Sequence, residues 1–305
     1  MSDGQTWLAG ASWLLPLAAV ILWLLYRKGF LSPGAFRDAP ERDVPVTALD
    51  LLPALGLMIG GAIVSGEVLH QLLGATAEDA GLFTAGEQTS VAILVNQLLA
   101  IGLPAGWFVY RAARGEAGLR RSGLLPRRPV RDVKWGALAL LAAIPLVMAA
   151  TLIVTGVAML LDHETPMIGH RMLEQMQAEA SLLPLVLMIV SAVVVAPLLE
   201  EILFRGLVQT SLLNTLGGER RWLIVVAASV LFAVTHLGPA IWQSLAALTV
   251  LSLVLGFLYE RTGSLWPSIL VHAGFNAWNV AIVLSGVLDT QGGGGGGGGA
   301  TPPVQ

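Results

Sequence analysis

The sequence predicts an all-α, polytopic membrane protein built as a bundle of about eight transmembrane helices. Of its 305 residues, 55% are hydrophobic and only 12% are charged, whereas a soluble domain carries about 25% charged residues. The mean hydropathy of +0.74 agrees with this class. Apolar stretches of about 20 residues, the length a helix needs to cross a bilayer, recur along the chain.

The predicted spans follow one another with short polar loops between them. They cover residues 6–26, 47–73, 89–110, 135–161, 182–213, 222–237, 241–259 and 265–288. No small-residue cleavage site follows the first span, so it is interpreted as a retained helix rather than a signal peptide. The fifth span is longer than one crossing requires, so it is expected to tilt or to project past the interface. A short amphipathic helix is predicted at residues 167–180.

The basic residues alternate between the two sides of this topology. The loops after spans one, three, five and seven hold 4, 8, 2 and 1 of the 17 Lys and Arg residues. The opposite loops hold only Arg171, and the last basic residue, Arg205, lies inside a span. Because cytoplasmic loops are enriched in Lys and Arg, we expect a multi-pass protein of a prokaryotic-type plasma membrane with both termini on the non-cytoplasmic side.

The chain divides into three regions by motif content. Residues 1–161 hold four spans without a motif, and residues 162–290 hold four spans with polar groups inside them. Residues 291–305 contain eight consecutive glycines and are expected to be disordered. The absence of cysteine excludes disulfides, thiol nucleophiles and Cys-based zinc sites. No basic aromatic patch predicts a nucleic-acid partner.

Three charged residues of the fifth span are the strongest functional signal. Glu200, Glu201 and Arg205 lie in an apolar segment, where a charge costs about 2.5–3.5 kcal/mol on insertion scales and usually serves function. Glu201 and Arg205 are four residues apart, so they share a helix face and are predicted to form a buried ion pair. Glu200 is turned by about 100° and is predicted to face another helix.

Two histidines and an asparagine inside later spans extend this set. His236 lies near the end of the sixth span, and His272 and Asn276 share one face of the eighth. The other three histidines are expected to be ordinary surface residues; they are His70, His163 and His170.

The residue types leave several chemistries open. A buried glutamate can act as a general base on water, and histidine or asparagine can stabilise an oxyanion. Zinc bound by Glu200, His236 and His272, with water as fourth ligand, is an alternative. A proton or ion pathway also uses buried Glu, His and Arg. The sequence has no His-Glu-x-x-His motif, no Gly-x-Ser-Gly elbow in a span and no pair of intramembrane aspartates.

The pattern resembles the CPBP family of membrane proteases, which includes type II CAAX prenyl endopeptidases and Abi-like bacteriocin-processing or immunity proteins. The family motifs stand here as Glu200-Glu201-x-x-x-Arg205, Phe232-x-x-x-His236 and His272-x-x-x-Asn276. Each motif alone is weak, whereas three in order on separate spans are specific. The resemblance covers about residues 165–280.

The resemblance implies an intramembrane endopeptidase, a hydrolase that uses a glutamate-activated water. Glu200 would be the base and His236 its partner, while His272 and Asn276 would stabilise the oxyanion. No cofactor is favoured, although members are often labelled metalloproteases and zinc is the alternative.

The expected partners are the lipid bilayer and a peptide or membrane-protein substrate, of CAAX type or another membrane-associated class. The alternative functions are a proton-coupled transporter and a non-catalytic immunity or scaffold protein.

Overall fold

The computed structural model describes residues 11–40, 44–73, 84–114, 118–126, 128–161, 163 and 170–292, with the backbone alone for 287–292. The predicted all-α class is confirmed. Within these residues the only β-type pairing is two isolated bridges, both involving Ala240.

The described residues form ten helices in addition to three short 3₁₀ turns. They are α1 (Leu14–Arg27), α2 (Leu51–Leu73), α3 (Ala85–Arg114), α4 (Gly118–Arg121), α5 (Pro129–Leu160), α6 (Arg171–Ala178), α7 (Leu182–Leu216), α8 (Arg221–Val234), α9 (Ser244–Thr262) and α10 (Trp266–Gly292).

Six of these helices are long and apolar enough to cross a membrane, namely α2, α3, α5, α7, α9 and α10. Among the described residues, helices α1 and α8 have 14 residues each, fewer than the roughly 20 that a crossing needs. Residues 6–10 of the first predicted span lie outside the described residues. Every predicted span therefore contains a helix, and the protein is a multi-pass membrane protein. The structure does not confirm eight crossings.

Several helices begin or end at residues other than those predicted from the sequence. Helix α5 begins six residues before the predicted start, because Pro129 suits the first helical position. Helix α6 is shorter than the predicted amphipathic helix, part of which lies outside the described residues. Helix α10 continues to Gly292; the glycines after it, predicted to be disordered, also lie outside the described residues.

Helix α7 lies at the centre of the bundle and contacts α3, α8, α9 and α10. Two π-helical segments interrupt it, at Ser191–Val195 and Ile202–Gln209. A π turn shifts the backbone hydrogen bonds and is frequent at functional sites. Here the displaced carbonyls take side-chain donors: Arg205 accepts from Thr210 Oγ1 at 3.1 Å, and Ala192 accepts from another helix.

Close helix contacts hold α7 in place. A Cβ on Gly206 would lie 2.7 Å from the ring of Phe108, so only glycine lets α3 approach so closely. Phe108, Phe204 and Phe232 belong to one buried apolar cluster around the middle of α7.

Two polar contacts fix the start of α10. One is made to the first turn of α5, and the other to the segment that precedes α5. Ser264 Oγ donates to Asp132 Oδ2 at 2.8 Å, and Trp266 Nε1 donates to the Leu124 carbonyl at 3.0 Å. These contacts set the position of the helix that carries His272.

Candidate active site

The predicted ion pair is present and fully buried. Arg205 Nε donates to Glu201 Oε2 at 3.0 Å, and both side chains are 0% exposed. Arg205 Nη2 donates to Ser252 Oγ at 3.0 Å, and the guanidinium lies 5.4 Å from the centre of the Phe232 ring. The pair is thus held by α8 and α9 as well as by α7.

Glu201 has a second partner that the sequence did not predict. His272 Nδ1 lies 2.9 Å from Glu201 Oε1. Each carboxylate oxygen therefore binds one group, and Glu201 fixes the orientation of His272 as well as that of Arg205.

The imidazoles of His236 and His272 both have their Nε2 atoms directed towards Glu200. His236 Nδ1 lies 2.8 Å from the Phe232 carbonyl oxygen, and His272 Nδ1 faces the Glu201 carboxylate. A carbonyl and a carboxylate can only accept, so each Nδ1 carries the hydrogen and donates it. In the neutral imidazole the Nε2 atom is then an acceptor.

Glu200 lies opposite both Nε2 atoms. Its Oε2 is 3.8 Å from His236 Nε2 and 3.8 Å from His272 Nε2. This oxygen is buried and has no hydrogen-bond partner in the described part of the chain. A distance of 3.8 Å is too long for a direct hydrogen bond and suits a water molecule between the groups.

The three atoms together pose a hydrogen-bond problem. With both imidazoles neutral, Glu200 Oε2 and the two Nε2 atoms are all acceptors, and one water has only two hydrogens to offer. Glu200 Oε2 is the buried atom of the three without a partner among the described residues, and burial makes an unsatisfied acceptor costly. One water can donate to Glu200 Oε2 and to one of the two Nε2 atoms.

The donor types fit zinc, but their spacing does not. Carboxylate and imidazole are zinc ligands, and each Nδ1 is fixed by an acceptor as in known zinc sites. Ligands at 2.0–2.1 Å around a tetrahedral zinc lie only about 3.4 Å apart, whereas Glu200 Oε2 lies 3.8 Å from each of the two Nε2 atoms. Among the described residues no group of three His, Asp or Glu is arranged to hold a metal ion.

The ring of Phe232 packs against the imidazoles of both His236 and His272. It is fully buried, and its ring centroid lies 4.6 Å from that of His236, 5.8 Å from His272 and 5.0 Å from Phe204. The sequence marked this residue as a motif position, and the structure adds that it limits the movement of both imidazoles.

Asn276 stands apart from this group. Its Nδ2 donates to the Ala192 carbonyl at 2.8 Å, in the first π segment of α7. Within the described residues no hydrogen bond joins it to Glu200 or to either imidazole. The structure thus brings five of the six predicted residues together, and the oxyanion role of Asn276 stays a prediction.

His170 differs from the surface residue that the sequence predicted, and for this histidine the prediction was wrong. It is only partly exposed, its Nδ1 accepts from the Met172 N–H at 3.2 Å, and it caps α6. Burial, with His236 nearby, lowers the pKa of His170 to about 4. Its backbone pairs with Ala240, in the turn that follows His236. No sequence spacing indicated this approach, because the contact joins distant segments.

Comparison with protein families supports the motif pattern. Residues 182–278 match the family model described as type II CAAX prenyl endopeptidase Rce1-like. The matched segment contains all six predicted site residues, and the match is consistent with the resemblance to the CPBP family. Searches of curated proteins and of solved structures found no match.

Proposed function

From the CPBP-type protease region at residues 182–278, we propose that this protein is an intramembrane endopeptidase in which Glu200 activates a water molecule. One observation carries the proposal: the buried Glu200 Oε2 has no hydrogen-bond partner among the described residues and lies 3.8 Å from two imidazole Nε2 atoms. A water at that position would contact the carboxylate and an imidazole together.

In this mechanism His272 donates through Nδ1 to Glu201, at 2.9 Å, and through Nε2 to the water. Its Nε2 lies 3.8 Å from Glu200 Oε2, too far for a direct hydrogen bond. His236 then stays neutral and accepts one hydrogen of the water, while Glu200 accepts the other. Every polar atom of the cluster is satisfied in this arrangement.

The reaction begins with proton transfer from the water to Glu200. The water oxygen bonds to the carbonyl carbon of the substrate, and the carbonyl oxygen becomes an oxyanion. General-base catalysis of this kind contributes about 10²–10⁴-fold in rate.

The oxyanion is stabilised by the Nε2 hydrogen of His272, a preoriented donor in a water-poor site. Asn276 is proposed as a second donor through the amide hydrogen that Ala192 does not use. As the intermediate collapses, the carbon–nitrogen bond breaks and Glu200 returns its proton to the leaving amine. The products are a carboxylic acid and an amine, and the proton of the acid passes to the amine to give a carboxylate and an ammonium group.

Glu201, Arg205 and Ser252 act as positioning residues in this mechanism. The Arg205 charge balances that of Glu201, and Ser252 holds the guanidinium. Glu201 fixes the Nδ1 hydrogen of His272, so its loss would free the imidazole to rotate.

The proposed substrate is a membrane-associated peptide, with a prenylated C-terminal CAAX segment as the first class to test. The CAAX class follows the description of the matched family. The site supports an apolar peptide, because the side chains of Glu200 and His236 are only 11% and 17% exposed. A strongly charged peptide would lose its hydration at such a depth.

Cleavage of internally quenched peptides, prenylated and unprenylated, by the full-length protein in nanodiscs tests the proposal. Glu200→Ala, His236→Ala and His272→Ala are each expected to abolish cleavage while the protein still folds. The matched control is His163→Ala, since His163 is exposed. Activity that survives all three site changes would refute the proposal.

Chelation separates the glutamate mechanism from a zinc mechanism. Unchanged cleavage in a strong chelator, with no stoichiometric zinc in the purified protein, is expected. Loss of cleavage that zinc restores would assign the water to a metal instead.

The alternative functions have distinct signatures. Uptake into proteoliposomes that follows a pH gradient and requires Glu200, without cleavage, would indicate the transporter. Full biological function in a Glu200→Gln variant would indicate the non-catalytic protein.

A further inference from the structure

A basic groove lies at the start of α5. It has a volume of about 700 Å³ and is lined by Arg128, Pro129, Val130, Arg131, Lys134, Trp135 and Leu138. The motif residues of the candidate active site do not contribute to it. We propose that this groove binds the phosphate headgroup of an anionic phospholipid, an inference that does not depend on the proposed proteolysis.

Three cations give the groove its charge. Arg128 is the residue before the first turn of α5, and Arg131 and Lys134 lie on the helix about 60° apart around its axis. No ion pair joins any of the three to a carboxylate in the described part of the chain. Asp132, the acidic residue among them, is buried and accepts a hydrogen bond from Ser264. The three positive charges are therefore available to an external anion.

The groove continues into an apolar surface. Trp135 and Leu138 follow the basic residues along α5, and Leu138 is 56% exposed. Trp135 is partly exposed and packs edge-on against Phe30, with ring centroids 5.9 Å apart. Tryptophan is typical of the membrane interface. Cations beside exposed apolar side chains match the shape of a phospholipid, which has a charged phosphate above acyl chains.

Free phosphate has the same anionic chemistry but would leave the apolar part of the groove unused. The predicted topology places this segment on the cytoplasmic side, where the leaflet carries anionic lipids. The lipid is therefore the favoured source of the phosphate.

The groove is close to the contact between α5 and α10, the helix that carries His272. A Cβ on Gly136 would lie 3.1 Å from Leu270, so α5 and α10 are in close contact just beyond the basic residues. A bound lipid is thus expected to stabilise the packing of α5 on α10.

Native mass spectrometry of the full-length protein, released from nanodiscs with phosphatidylglycerol or phosphatidylcholine, tests the proposal. Wild type is expected to retain phosphatidylglycerol selectively. The R128Q/R131Q/K134Q variant is expected to bind it about 100-fold more weakly, since three contacts to one bound phosphate are lost at about fivefold each. A triple variant whose lost charges lie outside the groove is expected to bind like wild type. The matched control is R37Q/R114Q/R220Q, which removes the same charge from exposed residues of the same predicted side.

The outcomes are distinct. Equal loss in the two triple variants would overturn the site in favour of general charge attraction. Binding of inorganic phosphate as tightly as the lipid would overturn the lipid assignment. If the groove triple variant fails to fold, R128Q alone, at an exposed position, is expected to weaken binding about fivefold, and an unchanged affinity would contradict the proposal.

Discussion

Helix α7 carries two buried polar clusters, and their contrast explains the assignment of function. In the second cluster Glu260 Oε1 accepts from Gln209 Nε2 at 2.9 Å, and Glu260 Oε2 accepts from Arg221 Nη1 at 2.7 Å. Both oxygens of that buried carboxylate are paired. Glu200, little more than two helical turns before Gln209, keeps a buried oxygen that no described residue pairs.

Under the proposed function, pairing rather than burial alone separates the structural carboxylate of Glu260 from the reactive carboxylate of Glu200. A buried charge without hydrogen bonds costs several kcal/mol, so a fold that needed only stability would have paired Glu200 or replaced it. Gln209 Oε1 also lacks a partner in the described structure, but an amide oxygen carries no net charge. The unpaired group of the second cluster is therefore much less costly.

The largest predicted effect on stability comes from Arg205. Arg205→Leu removes the guanidinium partner of the fully buried Glu201, and loss of one partner of a buried pair costs about 3–5 kcal/mol. Thermal unfolding in detergent is expected to show the fall. The control Arg220→Leu, at an exposed site, should change little, and equal effects of the two variants would contradict the central role of the pair.

A substitution of Asn276 tests whether its amide takes part in the proposed chemistry. If its amide stabilises the oxyanion, Asn276→Ala lowers kcat by about 10²–10³-fold. The matched control is Asn279→Ala, because the Asn279 amide donates to the Phe275 carbonyl in the same helix. Cleavage that is lost only in proportion to unfolding, or equally in both variants, would restrict Asn276 to the backbone contact with Ala192.

Glu260 tests the structural cluster directly. Glu260→Gln weakens hydrogen bonds to a charged group, each contributing about 1.5–3 kcal/mol. We expect a lower midpoint of unfolding with unchanged cleavage per folded molecule. A loss of cleavage at full folding would show that this cluster also takes part in the chemistry.

The effect of His170 is confined to acidic pH, so it is the smallest of the four near neutral pH. Its pKa in the folded protein is about 4, below the 6.5 of the unfolded chain, so the unfolded state takes up a proton first as pH falls. The contribution of His170 is complete above about pH 6.5 and is lost towards pH 4, by at most about 1.4 kcal/mol per pH unit. His170→Asn should flatten the pH dependence of the unfolding free energy in this range.

The control for this prediction is His163→Asn at an exposed position. Parallel pH curves for wild type and His170→Asn would contradict the burial of His170 beside the turn after His236.

The sequence predicted the parts of the site that depend on helix geometry. The four-residue spacing predicted the pair of Glu201 and Arg205, and the 100° rotation predicted that Glu200 faces away from it. The contact of Glu201 with His272 could not be predicted in this way, because it joins residues 71 positions apart on different helices.

The π segments of α7 and the position of His170 depend on contacts between helices, which the spacing of residues in the sequence does not predict. The π segments of α7 are stabilised by donors such as Thr210 and Asn276, and only the assembled bundle brings Asn276 to α7. A backbone bridge joins His170 to Ala240, in the turn that follows His236. In contrast, the all-α class followed from composition alone, because every long apolar segment in a bilayer must satisfy its own backbone hydrogen bonds.

The most direct test of the central claim compares wild type with Glu200→Gln, which keeps the shape of the side chain and removes its basicity. Cleavage rate and unfolding free energy are measured on the same nanodisc preparation. The account predicts a rate lower by about 10²–10⁴-fold with an unfolding free energy that is unchanged or higher, because an unpaired buried charge is removed. Cleavage at the wild-type rate, or a rate that falls only as the protein unfolds, would contradict it.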